Sequence, residues 1–229
     1  TIDYGPCAFM NAYDPGKFFS SIDINGRYSF KNQSLIAHWN ISRFAETLIP
    51  FLNPSRDKAI EIGKEIIDEF EDLFNKKWLY MMKSKLGFIN EDKNDYNLIK
   101  EILNFMQNNK IDYTNTFINL MNEKNIDKDL LKNNSFQQIK NKIKKRLLQN
   151  SKSKKFIKDI MIKNNPLVIP RNHLVEKALI DVENNENYIF FNELLSILKN
   201  PYTENDNIKK FQSPPDKNFE NQYQTFCGT

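Results

Sequence analysis

The chain has 229 residues, 40% hydrophobic and 13% aromatic, enough apolar material for one sizeable domain or a large part of a bigger one. Its 33 basic and 29 acidic side chains leave a net charge of +4, which carries no argument for a nucleic-acid or membrane partner. No apolar run reaches the roughly 18 residues of a membrane span, no signal peptide opens the sequence, and two cysteines at opposite ends build no secreted disulfide framework. The composition therefore reads as that of a soluble intracellular protein, with the abundance of Asn and Lys taken as a bias of nucleotide composition.

Thr1-Ile2-Asp3-Tyr4-Gly5-Pro6 opens the chain as a short strand running into a tight turn. Glycine permits a backbone that other residues resist, and the turn projects the Asp3 carboxylate from a fixed frame. Kinase-type enzymes use such an Asp-x-Gly to hold the magnesium that bridges ATP phosphates, although many simple turns also join Asp and Gly. Asp14-Pro15-Gly16 is a turn, and Asn25-Gly26 between Ile24 and Arg27 predicts a two-residue β-hairpin. A helix is expected over 33–52, with Leu35, Ile36, Trp39, Phe44 and Leu48 on one face and Pro50 and Pro54 closing it.

From Ser55, a plausible N-cap, a long helix runs to Gly87 with Ile60, Ile67, Phe70 and Phe74 as its stripe. Further helices are expected at about 92–109, 113–123, 135–150, 153–163, 172–184 and 187–199, before a Pro-containing tail from Pro201. The lysine-rich run from Lys140 to Lys158 carries Ile139, Ile143, Leu147 and Leu148 as a stripe. Its charges then form a solvated outer face rather than a phosphate-binding one. His38 and His173 stand too far apart, and too far from any cysteine, to suggest a zinc site.

Several words in this chain carry more than periodicity. They are DYGP at Asp3, the YDPG turn, SSID, GRYSF, and NQ before WN-x-x-R-x-A-x-T-L; later come NPLVIPRNHLVEKAL from Asn165, NPY at Asn200 and the terminal TFCGT. In this order the chain resembles the selenoprotein O (SelO) family, kinase-fold pseudokinases that transfer AMP rather than phosphate. Residues 88 to 155 match the family poorly and rest on helical pattern.

The resemblance implies a mainly α fold: the carboxy-terminal large lobe of a protein-kinase-like domain, with a short β-hairpin near its start. Residues 1–32 would hold the metal motif, an activation-segment-like region and the hairpin, 33–200 the helical lobe, and 201–229 an extended tail. The small lobe, the lysine–glutamate pair, and the catalytic-loop Asp with its metal-binding Asn have no counterpart here. The chain is thus expected to be a fragment with no catalytic residue of its own.

Asp3 would be a ligand of Mg2+ or Mn2+ and, through the metal, bind the phosphates of ATP. Besides ATP, the expected partners are proteins offering Ser, Thr or Tyr acceptors, with neither nucleic acid nor membrane. The location would be the cytoplasm of a bacterium, or the mitochondrion of a eukaryote. The rival functions are a kinase-type phosphotransferase and a noncatalytic helical scaffold.

Ser20, Ser21 and Asp23 would either contact a substrate hydroxyl or bond local backbone, and Arg27 would either reach phosphate or stay solvated. The resemblance also implies a redox pair of Cys7 with Cys227, against an inert buried Cys7 and a flexible tail thiol. In Arg171-Asn172-His173 the expected roles are structural: Asn172 caps the next helix and Arg171 pairs with a carboxylate.

Overall fold

The computed structural model describes residues 8–121, 130 and 132–226. Asp3, Cys7 and Cys227 lie outside the described residues, as do Tyr4, Gly5 and Pro6. The chain divides into two units: one takes Pro15–Tyr80, the other takes residues 8–14 with Met81–Thr225.

In the first unit a 3-10 turn, Phe30–Asn32, leads into α1, Gln33–Leu52, and α2, Arg56–Leu86, follows. Helix α1 runs on through Pro50 for two residues before the extended Asn53 ends it, so this proline sits inside the last turn rather than closing the helix. The apolar stripe expected on α1 is real in spacing but not buried. No α1 residue is buried, and Leu35 and Phe44 are each 64% exposed. His38 stacks on Phe70 of α2, which stacks in turn on Phe74. The imidazole Nε2 of His38 is enclosed without a hydrogen-bond partner. It is a packed residue.

The hairpin expected at Asn25-Gly26 does not form. Both oxygens of the buried Asp23 are taken by backbone N–H groups, those of Arg27 and Tyr28, each at 2.8 Å. Gly26, at φ 63, donates to the Asp23 carbonyl, and Ser29 donates to the Gly26 carbonyl. Of these donors, those of Arg27 and Ser29 would have built the ladder of a two-residue hairpin, and both are committed to turns instead. An isolated antiparallel bridge joins Ala12 with Asp112.

The second unit is helical. Its elements are the end of α2 (residues 81–86), α3 (Asp95–Asn109), α4 (Tyr113–Met121), α5 (Asn134–Leu147), α6 (Lys154–Asn164), α7 (Asn172–Asn185) and α8 (Ile189–Leu198). Two short helices, α9 (Lys209–Gln212) and α10 (Lys217–Gln222), follow in the tail. Side-chain caps start several of them, Asn133 before α5, Ser153 before α6 and Asp216 before α10 among them. Gly87 ends α2 at φ 73, where a Cβ would lie 2.7 Å from Ile157, so both backbone and space require glycine.

Ile99, Ile102, Met106, Phe117 and Phe136 are each at most 1% exposed. An apolar cluster joins Leu167, Val168, Leu174, Ala178, Leu194, Ile197, Ile208 and Phe211. Helix α5 keeps Ile139 and Ile143 in its core stripe, but Leu148 is 79% exposed and Arg146, from the lysine-rich run, is buried instead. Two residues off in a helix of 3.6 per turn is enough to turn Leu148 away from the core.

Candidate functional site

The segment that leaves the Asp3 motif is gripped at several points within the second unit. Phe9 donates its N–H to Asn172 Oδ1 at 2.9 Å, and Asn172 Nδ2 donates back to the Phe9 carbonyl at 3.0 Å. One amide side chain thus pairs with both backbone groups of one residue, as a neighbouring strand would. Tyr113 donates its N–H to the Asn11 carbonyl at 2.8 Å and Tyr13 donates to the Ile111 carbonyl at 3.0 Å, flanking the Ala12–Asp112 bridge.

Arg171, 1% exposed, sits beneath this segment. Its Nη1 donates to Asn11 Oδ1 at 2.5 Å and Asp112 Oδ2 at 2.7 Å, and Nη2 to Asn115 Oδ1 at 3.2 Å. A buried guanidinium is tolerable because a carboxylate and two amide oxygens replace its water; its Nε alone is enclosed without a partner. Asn11, 2% exposed, closes the far side by donating Nδ2 to Glu220 of α10 at 2.6 Å. Next to it His173 meets Phe219 edge-on, and Phe219 stacks on Tyr223, which donates its hydroxyl to Glu176. Burial and the Arg171 charge hold the His173 imidazole below its ordinary value, and its Nδ1 is enclosed without a partner.

The Arg171–carboxylate pair expected from the sequence therefore exists, with Asp112 as the carboxylate. The cap expected from Asn172 does not: Asn172 is already the first residue of α7, Arg171 holds the cap position, and no side chain caps this end. The Asn172 amide is engaged by Phe9 instead. Asn11, Asp112, Asn115 and Glu220 were not singled out from the sequence. Only Asp112 left a local signal there, as an acidic residue before a helical run, and its Oδ1 indeed accepts the Asn115 N–H at 2.7 Å.

Ser20, Ser21, Asp23 and Arg27 belong to the first unit, and Asp3, Cys7 and Cys227 lie outside the described residues. Asp23 serves its own turn. Arg27 is exposed, and its guanidinium lies 4.9 Å from the centre of the Trp39 ring. Among the described residues no group of three or more His, Cys, Asp or Glu is placed to hold a metal. Nor is any described helix long and apolar enough to cross a membrane.

Beside the clasp, Tyr13 stacks on Tyr113, whose hydroxyl donates to Met82 Sδ. Lys85 Nζ lies 4.9 Å from the Phe117 ring centre and donates to the Asn164 carbonyl at 3.0 Å, at the carboxy-terminal end of α6. Burial pushes the Lys85 amine down from 10.5 to about 8. Between those values the unfolded chain binds more protons than the folded one, so stability should rise with pH from about 8 toward 10. The expected gain approaches ~2–3 kcal/mol. Burial pushes the hydroxyls of Tyr13, Tyr113 and Tyr223 up, so above about pH 10 they act in the opposite sense. Urea unfolding at pH 7.5 and 9.5, with Lys85→Met as the flat control, checks this; equal slopes for both proteins would refute it.

Residues 1–199 match a family model described as Protein adenylyltransferase SelO. Over all 229 residues the chain is 49% identical to the protein nucleotidyltransferase YdiU of Pelagibacter ubique, covering 47% of that protein. It is 43% identical to the protein of the same name from Clostridium perfringens and 44% identical to that from Nitrosococcus oceani, covering 46% of each. The chain thus spans about half the length of the curated relatives it matches.

Proposed function

The chain belongs to the SelO family of protein adenylyltransferases, and on that premise we propose that it is the carboxy-terminal part of an enzyme moving AMP from ATP to protein hydroxyls. The observation that carries this is the family match over residues 1–199 together with 49% identity over the whole chain. The predominance of helix supports assigning it to the large lobe of a kinase-like domain. In this reading a Ser, Thr or Tyr oxygen of the acceptor attacks the α-phosphorus of ATP. The bond to the bridging oxygen breaks, pyrophosphate leaves, and the hydroxyl proton passes to a base from outside this chain. Positioning and charge neutralisation supply most of the rate.

A divalent ion, Mg2+ or Mn2+, would neutralise phosphate charge, held by Asp3, by a second ligand from outside this chain and by phosphate oxygens. A lone hard carboxylate beside phosphates suits such an ion, which rarely takes more than one or two protein ligands. The family relationship favours AMP transfer over phosphate transfer, since Asp-x-Gly serves either chemistry. The reading places the enzyme in the bacterial cytoplasm, or in the mitochondrion if the source is a eukaryote, and leaves Cys7 and Cys227 as a candidate redox pair.

The test is incubation of the full-length protein and acceptor proteins with magnesium and ATP labelled at the α- or the γ-phosphate. Label incorporated from the α-position alone is expected. Label from the γ-position alone would make the protein a kinase, and label from neither would favour a scaffold.

A further inference from the structure

We infer that the face of α1 formed by Ile41, Phe44, Leu48 and Phe51 is an interface, and that it seats the part of the polypeptide outside these 229 residues. This rests on the reading of the chain as the carboxy-terminal part of a longer protein. Helix α1 carries two stripes. His38, Ala45, Ile49 and Leu52 recur at helical spacing on one side. That side is half-buried and meets α2: His38 stacks on Phe70, and a Cβ at Gly63 would stand 3.5 Å from Ile49 and 3.7 Å from Leu52.

Ile41, Phe44, Leu48 and Phe51 repeat that spacing roughly 100° further round the helix. All four are exposed, Phe44 at 64% and Phe51 at 84%. A helix that is apolar on two sides belongs in a core with neighbours on both. Here α2 is the neighbour on one side, and the second stripe faces solvent. A phenylalanine buries about 150–250 Å2, so Phe44 and Phe51 alone present roughly 200–400 Å2, the scale at which an apolar patch marks a contact. No charge breaks the stripe, because Arg43 and Glu46 pair with each other on the far side of the helix. Thr47, on its flank, donates its hydroxyl to the Phe44 carbonyl at 2.7 Å and so asks nothing polar of whatever covers it.

The occupant follows from length. The chain covers 47% of one relative and 46% of another, so in those proteins it is accompanied by more sequence than it contains itself. Sequence joined to α1 in one polypeptide reaches this face at a high effective concentration, whereas a second copy must find it by diffusion. Left bare, the stripe would be a liability for aggregation, and cover from the same polypeptide removes that liability at every protein concentration.

The experiment uses the full-length protein with the photo-reactive p-benzoylphenylalanine, close in shape to the native side chain, in place of Phe44 or Phe51. Irradiation should give a product of monomer mass whose cross-linked peptides come from outside residues 1–229. Cross-links confined to residues 1–229 would overturn the inference by giving the face to this chain itself. A product of higher mass, from a second copy or another protein, would overturn it too, and so would no cross-link at all. As a second readout, thiol alkylation should be about tenfold slower at Phe44→Cys than at Glu46→Cys on the far side. Equal rates would mean a face open to solvent and end the proposal. AMP transfer is assayed on the same protein: transfer with cross-links elsewhere removes the interface and keeps the enzymatic reading, and the expected cross-links without transfer do the reverse.

Discussion

Replacing Asp3 with alanine in the full-length protein is expected to cut adenylyl transfer by roughly a hundredfold to a thousandfold. A metal's stabilisation of developing charge is worth several kcal/mol, and each ~1.4 kcal/mol is tenfold in rate. A carboxylate ligand supplies the negative charge that keeps the ion on the phosphates, and no other Asp or Glu is close behind it in the chain to take its place: the next is Asp14. The variant should melt as wild type does, since the residues that hold residues 9–13 are untouched. Asp3→Asn retains an oxygen but not the charge and should fall between the two. Transfer from Asp3→Ala within a few-fold of wild type, at limiting Mg2+, would remove Asp3 from the metal site.

Asp95→Ala should destabilise the second unit by ~3–5 kcal/mol, the cost of stranding buried charge. Asp95 is 1% exposed in the first turn of α3, where its charge also favours the helix start. Its Oδ1 accepts from Arg146 Nε at 2.6 Å, its Oδ2 accepts from Arg146 Nη2 at 3.0 Å, and Lys83 Nζ stands 3.5 Å away. Lys83 and Arg146 are themselves 5% and 6% exposed, so removing the carboxylate leaves two cations largely shut off from water. Glu91 on Lys83 and the Asn90 carbonyl on Arg146 soften the loss and pull the figure toward its lower end. In a domain of this size that is a drop of roughly 10 °C in melting temperature. Replacing all three by apolar residues, as Lys83→Met, Asp95→Leu and Arg146→Met, should recover most of it. A melting temperature for Asp95→Ala within about 2 °C of wild type would show the charges to be solvated after all.

Helix placement was legible because the punctuation is local. Prolines, glycines and capping residues stand beside each run, and α1 begins and ends where periodicity put it. What side chains do with backbone donors was not legible at the same range. Asn25-Gly26 has the form of a hairpin turn, but Asp23, two residues earlier, claims the N–H groups that a ladder needs. Asn172 reads as a cap, but Arg171 holds that position and the Asn172 amide goes to Phe9, 163 positions away. Arg146 reads as one more cation of a basic run until Asp95, 51 positions earlier, is seen to hold it. The last two misses join residues far apart in the chain, and a single sequence carries no mark of such a pairing. For Asp3 itself, the motif and the family words remain the whole argument.

The chain has two tryptophans, Trp39 on α1 and Trp78 on α2, and both belong to the unit of Pro15–Tyr80. Both indoles thus belong to that unit, while the other carries tyrosine and no tryptophan. Trp39 has Arg27 and Arg43 over its ring, so its emission should respond to either arginine as well as to unfolding. Comparing indole emission with tyrosine emission or amide exchange in one titration would tell whether the two units melt together or in turn. For Asp95→Ala the damage originates in the unit that carries no indole, so tryptophan emission alone would record it only where the two units melt together.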